Sequence, residues 1–173
     1  MTLARVGARV DYSRRALLRG RPSERRTPRR PPWAVAGFES VCTRCERCLD
    51  ACPQDILVRG DGGFPEVDFT QGHGECTFCA ACVETCPEPA FRSPQESPWQ
   101  LTARIEDRCL AHQGVHCQSC AEVCGYGAIA FALAVGLPPQ PVIDTDACTG
   151  CGACIAICPA DAITSVQAEA SHG

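Results

Sequence analysis

Cys42-Thr43-Arg44-Cys45-Glu46-Arg47-Cys48-Leu49-Asp50-Ala51-Cys52-Pro53 is the stretch from which the rest of the chain can be read. Its cysteines stand at i, i+3, i+6 and i+10, followed by proline. The same C-x2-C-x2-C-x3-C-P run returns at Cys76, Cys79, Cys82 and Cys86 before Pro87, and at Cys148, Cys151, Cys154 and Cys158 before Pro159. A fourth quartet, Cys109, Cys117, Cys120 and Cys124, is irregular. Its first gap holds seven residues instead of two, and Gly125 stands where the others have proline. Together the quartets take up all 16 cysteines of the 173-residue chain.

Such a cadence gathers thiolates about one centre. Disulfides are a poor reading, because no secretory signal precedes the cysteines and the spacing does not staple distant strands. Structural zinc sites use C-x2-C as two separated pairs. Three cysteines in step, with a fourth before proline, are instead the pattern that holds 4Fe–4S clusters. Soft thiolates suit such clusters. The short loop wraps one face of the cube and turns backbone N–H groups toward sulfur, and proline then leads the chain out of the site. Where two such runs cooperate, the fourth cysteine of each ligates the cluster of the other. The expected sets are therefore Cys42, Cys45, Cys48 with Cys86; Cys76, Cys79, Cys82 with Cys52; Cys148, Cys151, Cys154 with Cys124; and Cys109, Cys117, Cys120 with Cys158. Ligation within each quartet is the alternative.

The quartets are also a repeat. A shift of 72 residues carries seven of the eight cysteines of the first half onto cysteines of the second; only Cys42 fails, falling on Gly114. Asp107-Arg108-Cys109 nevertheless matches Asp146-Ala147-Cys148, which makes Cys109 a displaced first ligand. Three clusters are expected from the regular quartets and a fourth from the irregular one. A 3Fe-type or labile cluster, or His116 as a substitute ligand, are the rivals there. His73, His112 and His172 read as surface residues.

Short apolar segments follow each fourth cysteine: Ile56-Leu57-Val58, Ala90-Phe91, Ala128-Ile129-Ala130-Phe131 and Ala162-Ile163-Thr164. Pro141-Val142-Ile143-Asp144 precedes a quartet. These predict short strands paired as hairpins, with one or two helical turns inside each cysteine run. The expected fold class is α+β, with two tandem ferredoxin-like dicluster modules after a poorly ordered basic leader. The boundaries are an arginine-rich leader over 1–38, disordered or docked on a partner, a first module over 39–92, a linker over 93–103, a second module over 104–168 and a tail over 169–173. With 6% aromatic residues the apolar core is thin, so the clusters should hold the fold together and the apo chain should fold poorly.

Charge is divided unevenly. Ten of the 16 basic residues, all arginine, lie within residues 1–30, opposed only by Asp11 and Glu24; this leaves +8 there and −12 in the remainder. Each oxidised cluster with four thiolates adds formally about −2 to the body. Such a body opposes nucleic acid as a partner. Ser13-Arg14-Arg15-Ala16-Leu17-Leu18-Arg19 has the look of a twin-arginine export signal, but Gly20-Arg21-Pro22-Ser23-Glu24 follows where an apolar run is required. The apolar stretch from Tyr126 to Leu137 is too short to span a bilayer and reads as a core strand and hairpin, so no transmembrane segment is expected. No nucleophile–base pair, paired carboxylates or phosphate loop stands out, and the chain is not expected to be an enzyme.

In these features the chain resembles the NapF-type ferredoxins of periplasmic nitrate reductase systems. The likeness is carried by the arginine leader with Ser13-Arg14-Arg15 and Arg30-Pro31-Pro32-Trp33, by Cys42-Thr43-Arg44-Cys45, Gly60-Asp61-Gly62-Gly63-Phe64-Pro65, the stretched Cys109 quartet and Cys148-Thr149-Gly150-Cys151-Gly152-Ala153-Cys154. The resemblance implies a cytoplasmic accessory protein. It would bind the catalytic subunit of the periplasmic nitrate reductase before export, and support its maturation by cluster assembly or electron supply. A polyferredoxin carrier in an anaerobic respiratory chain is the alternative.

Overall fold

The structure, a computed structural model, describes residues 28–168. Most of the leader, including the twin-arginine-like stretch, and the tail from residue 169 with His172 lie outside the described residues.

Each cysteine run carries a single helical turn. After α1 (Phe38–Val41) come α2 (Arg47–Asp50), α3 (Ala81–Glu84), α4 (Ser119–Glu122) and α5 (Ala153–Ala156). The strands are as short as the apolar segments that form them: β1 (Leu57–Arg59), β2 (Pro65–Val67), β3 (Leu101–Ile105), β4 (Ile129–Ala134), β5 (Leu137–Ile143) and β6 (Ile163–Gln167). They pair antiparallel as β1–β2, β4–β5 and β3–β6.

The halves share one layout. A hairpin lies between the two cysteine runs, Leu57 opposite Val67 in the first half and Ile129 opposite Ile143 in the second. The two ends of each half then meet: Ala34 bridges Phe91, as Ile105 pairs with Ile163. Hydrogen bonds repeat with the strands. Asp68 N–H donates to Ile56 O at 2.9 Å, and Asp144 N–H to Ala128 O at 2.8 Å; Val35 N–H donates to Ala90 O, and Glu106 N–H to Ala162 O. The α+β character and the paired strands follow the sequence reading. The second hairpin is longer, and residues 69–75 compensate by lengthening the approach to the second quartet, so the shift of 72 is restored at Cys76.

Three expectations need correction. The leader does not run unstructured to residue 38. Trp33 and Phe38 are both buried, and the Arg30 guanidinium, itself largely covered, lies between the Phe38 and Phe64 rings with Glu39 and Glu66 as counter-charges. The linker also ends early, because Leu101–Ala103 already belong to β3. Finally, Tyr126–Leu137 does form a hairpin, but its tip is not core: Leu133 is 92% and Val135 104% exposed. Among the described residues no helix is long and apolar enough to cross a membrane.

Two small cores result. Ile56, Leu57, Val67 and Phe69 pack with Cys48 and Cys82; Ala103, Ile129 and Ile163 pack with Cys154. Ile155 packs against both.

Candidate functional site

The loops that present the cysteines depend on an unusual backbone. In the first run Arg44 and Glu46, flanking Cys45, have φ of 59° and 65°; in the second Phe78 and Ala80, flanking Cys79, have 55° and 62°. In the last run Gly150 and Gly152 flank Cys151 at 70° and 92°. Left-handed residues on either side of one cysteine turn successive N–H groups toward one point, a nest for negative charge. Four of these six residues are not glycine and carry a conformational cost of roughly 1–2 kcal/mol each. Strain of this kind gathers at functional sites. The irregular quartet lacks the device: Gln118, between Cys117 and Cys120, has φ −134°.

Side chains from both runs of a half converge. Cys52 joins Cys76, Cys79 and Cys82 around one small pocket. Cys124 joins Cys148, Cys151 and Cys154 around a second, and Cys158 joins Cys109, Cys117 and Cys120 around a third. The remaining set is seen from Cys48, whose thiol is pushed up to about 11 by burial and then by the nearby Cys42, Cys86 and Cys45. In each case the fourth cysteine sits with the other run's triplet. Cys109 is brought into its set by an added turn, in which Gln113 N–H donates to Cys109 O and Val115 N–H to Leu110 O. The Gln140 amide from β5 holds this turn through Ala111 O at 3.0 Å. His116 is exposed and does not line the pocket.

Donor chemistry and surroundings fit a 4Fe–4S cluster. No disulfide involves any of the sixteen cysteines, and among the described residues no group of three or more His, Cys, Asp or Glu is arranged to hold a single metal ion. The thiols instead ring pockets, and backbone N–H groups point at sulfur: Ala103 to Cys148 at 3.4 Å, Ala128 to Cys124 at 3.3 Å, Ala162 to Cys158 at 3.2 Å and Arg44 to Cys42 at 3.4 Å. Burial raises the thiols of Cys76, Cys82 and Cys154 to about 12 and that of Cys120 to about 11. Without a soft metal these thiols are protonated at neutral pH; ligation requires the thiolates. Gly125 does not disturb its turn, since Gly127 N–H still donates to Cys124 O as Asp161 N–H does to Cys158 O.

Comparisons with known proteins point to 4Fe–4S chemistry. A 4Fe–4S dicluster domain matches residues 41–90 and a 4Fe–4S binding domain matches residues 141–164; the irregular quartet lies outside both segments. The ferredoxin-type protein NapF of Haemophilus influenzae is 49% identical over 137 residues, covering 78% of this chain and 77% of its own length. The ferredoxin-type protein NapF of Escherichia coli K12 is 42% identical over 159 residues, 91% of this chain and 96% of its own. A methylamine utilization ferredoxin-type protein, MauM of Methylobacillus flagellatus, is 33% identical over 157 residues, 80% of this chain and 67% of its own.

Proposed function

This chain belongs to the NapF family of ferredoxin-type proteins, and from that premise we propose that all sixteen cysteines hold four 4Fe–4S clusters. The sets are Cys42, Cys45, Cys48 and Cys86; Cys52, Cys76, Cys79 and Cys82; Cys124, Cys148, Cys151 and Cys154; and Cys109, Cys117, Cys120 and Cys158. The observation that carries this reading is the meeting of each fourth cysteine with the other run's triplet. A bound cluster supplies one-electron chemistry. The chain's part is to hold it by four thiolates, to direct N–H groups at the sulfurs and to bury it between strand and helical turn.

The protein is a cytoplasmic accessory factor and not an enzyme in its own right. It binds the catalytic subunit of the periplasmic nitrate reductase before export and supports its maturation, by helping to install an iron–sulfur cluster or by supplying electrons. Nearly full-length similarity to the NapF proteins supports this. The +8 charge of residues 1–30 against an acidic body suits salt-sensitive docking to an acidic partner. Service as a polyferredoxin carrier is the second reading, favoured by the direct contact between the cysteine loops of the two halves.

Co-purification with the unexported catalytic subunit tests the proposal, with the whole chain and with a chain lacking residues 1–27. Retention by the whole chain supports client binding, and weaker retention after truncation assigns part of it to the leader. If nitrate reductase made without this protein keeps its full cluster content and lacks only electrons, the carrier reading replaces maturation.

A further inference from the structure

The two halves meet through their cysteine loops. The backbone N–H of Cys76 donates to the carbonyl oxygen of Cys151 at 2.8 Å. Trp99, from the segment joining the halves, clamps this contact. Its indole N–H donates to Thr149 O at 2.9 Å, and its ring meets Phe69 and Phe78 edge-on, with centroids 6.1 and 5.6 Å apart. Two glycines permit the approach. A Cβ on Gly152 would enter the Phe69 ring, and one on Gly74 would meet the Ala156 methyl. In both cases the obstacle belongs to the other half, so the missing side chains are what lets the loops touch.

We infer that the Cys52/76/79/82 site and the Cys124/148/151/154 site form an electron-transfer junction, which makes the four sites one conducting chain instead of two separate pairs. The inference rests on the cluster-binding reading above. Within each half the sites are already neighbours: Cys48 and Cys82 are buried in one core with Cys52 and Cys76 packed against it, and Cys154 is buried in the other with Cys120 and Cys158 packed against it. Across the halves, Cys76 and Cys151 are each ligand-bearing residues, so their hydrogen bond leaves only two short cysteine backbones between one sulfur and the other. The order along the chain of sites is Cys42/45/48/86, Cys52/76/79/82, Cys124/148/151/154, Cys109/117/120/158. The step is a single electron: a reduced cluster on one side of the junction is oxidised as its oxidised neighbour is reduced, with no atom or proton transferred. The electron enters from a one-electron carrier of the iron–sulfur or flavin class and leaves to an iron–sulfur acceptor.

The test isolates the junction. In the full chain, Cys45→Ser with Cys117→Ser removes one ligand from each outer site and leaves the two inner ones intact. Iron and sulfide should fall to about half of the parent value, since each site needs its four thiolates. Reduced with dithionite, this variant should give an electron paramagnetic resonance spectrum split and broadened by interaction between the two remaining clusters. Two narrow, non-interacting signals at half iron content overturn the junction. An iron content far from half overturns the ligand sets themselves, a separate failure. Should the double variant not fold, Trp99→Ala and Gly74→Leu in the otherwise unaltered holoprotein serve instead. At full iron content both should weaken the magnetic interaction, and a spectrum unchanged in both overturns the inference.

Discussion

The indole N–H of Trp33 donates to the carbonyl oxygen of Glu96 at 2.8 Å. The same residue donates its backbone N–H to Pro98 O and accepts at its own carbonyl from Arg92 N–H, while its ring stands edge-on to Phe78. A residue at the end of an arginine-rich segment thus ties the entrance of the first half to the segment that leaves it. Trp33→Ala should cost about 3–5 kcal/mol, the range for removing a buried aromatic. Guanidinium unfolding of the holoprotein, followed by cluster absorbance, should show that loss; an unshifted midpoint would mean that the strap contributes nothing.

Gly152 and Gly127 make a controlled comparison. Both have positive φ, 92° and 62°, so alanine is strained at either by roughly 1 kcal/mol. At Gly127 nothing lies near the added methyl, whereas at Gly152 it would meet the Phe69 ring. Gly127→Ala should keep full iron content with a small loss of stability. Gly152→Ala should lose the cluster bound by Cys148, Cys151 and Cys154. Equal iron content in the two would show that the close approach to Phe69 is unimportant.

The irregular site should be the first to fail. It lacks the paired left-handed residues around its middle cysteine, and its first ligand comes from an added turn. Anaerobic challenge with a chelator should release about a quarter of the iron in a fast phase, as one site of four. Cys109→Ser should lack that phase and start with correspondingly less iron. Unchanged iron content in Cys109→Ser would remove this residue from the ligand set.

Thiol titration sets the pH response. Burial raises Cys48 to about 11, and Cys76, Cys82 and Cys154 to about 12, from 9.0. Folded values above the unfolded one mean that protonated thiols favour the metal-free fold below about pH 9, and that this contribution is lost as pH rises through 11–12. Cluster ligation must therefore expel protons throughout the neutral range, and retention should improve with pH. Chelator stripping should be faster at about pH 6 than at about pH 8; equal rates would show that ligation is not coupled to these protons.

Much of this architecture is legible in the residues themselves. Cysteine spacing is a rigid code, so the quartets, the duplication and the hairpins between them could be read directly, down to the grouping of the displaced Cys109 with Cys117 and Cys120. What escaped has physical reasons. Arg30-Pro31-Pro32-Trp33 has the composition of a disordered segment, and only the folded chain shows Arg30 between two phenylalanine rings with Glu39 and Glu66 beside it. Arg44, Glu46, Phe78 and Ala80 carry no local preference for left-handed backbone; the site around them imposes it. The apolar tip at Leu133 and Val135 looks like core because hydropathy does not record where a hairpin projects. The bond between Cys76 and Cys151 joins residues far apart in sequence and leaves no local mark, though glycines at 74 and 152 are its trace.

The central claim is that each fourth cysteine serves the other run's cluster. It is tested most directly by the iron and sulfide content of two double variants in the anaerobically isolated full chain. In Cys45→Ser with Cys86→Ser, both changes fall in one crossed set and should remove one cluster, about a quarter of the iron. In Cys45→Ser with Cys52→Ser they fall in two sets and should remove about half. The reverse outcome, half lost in the first and a quarter in the second, would contradict the crossed arrangement.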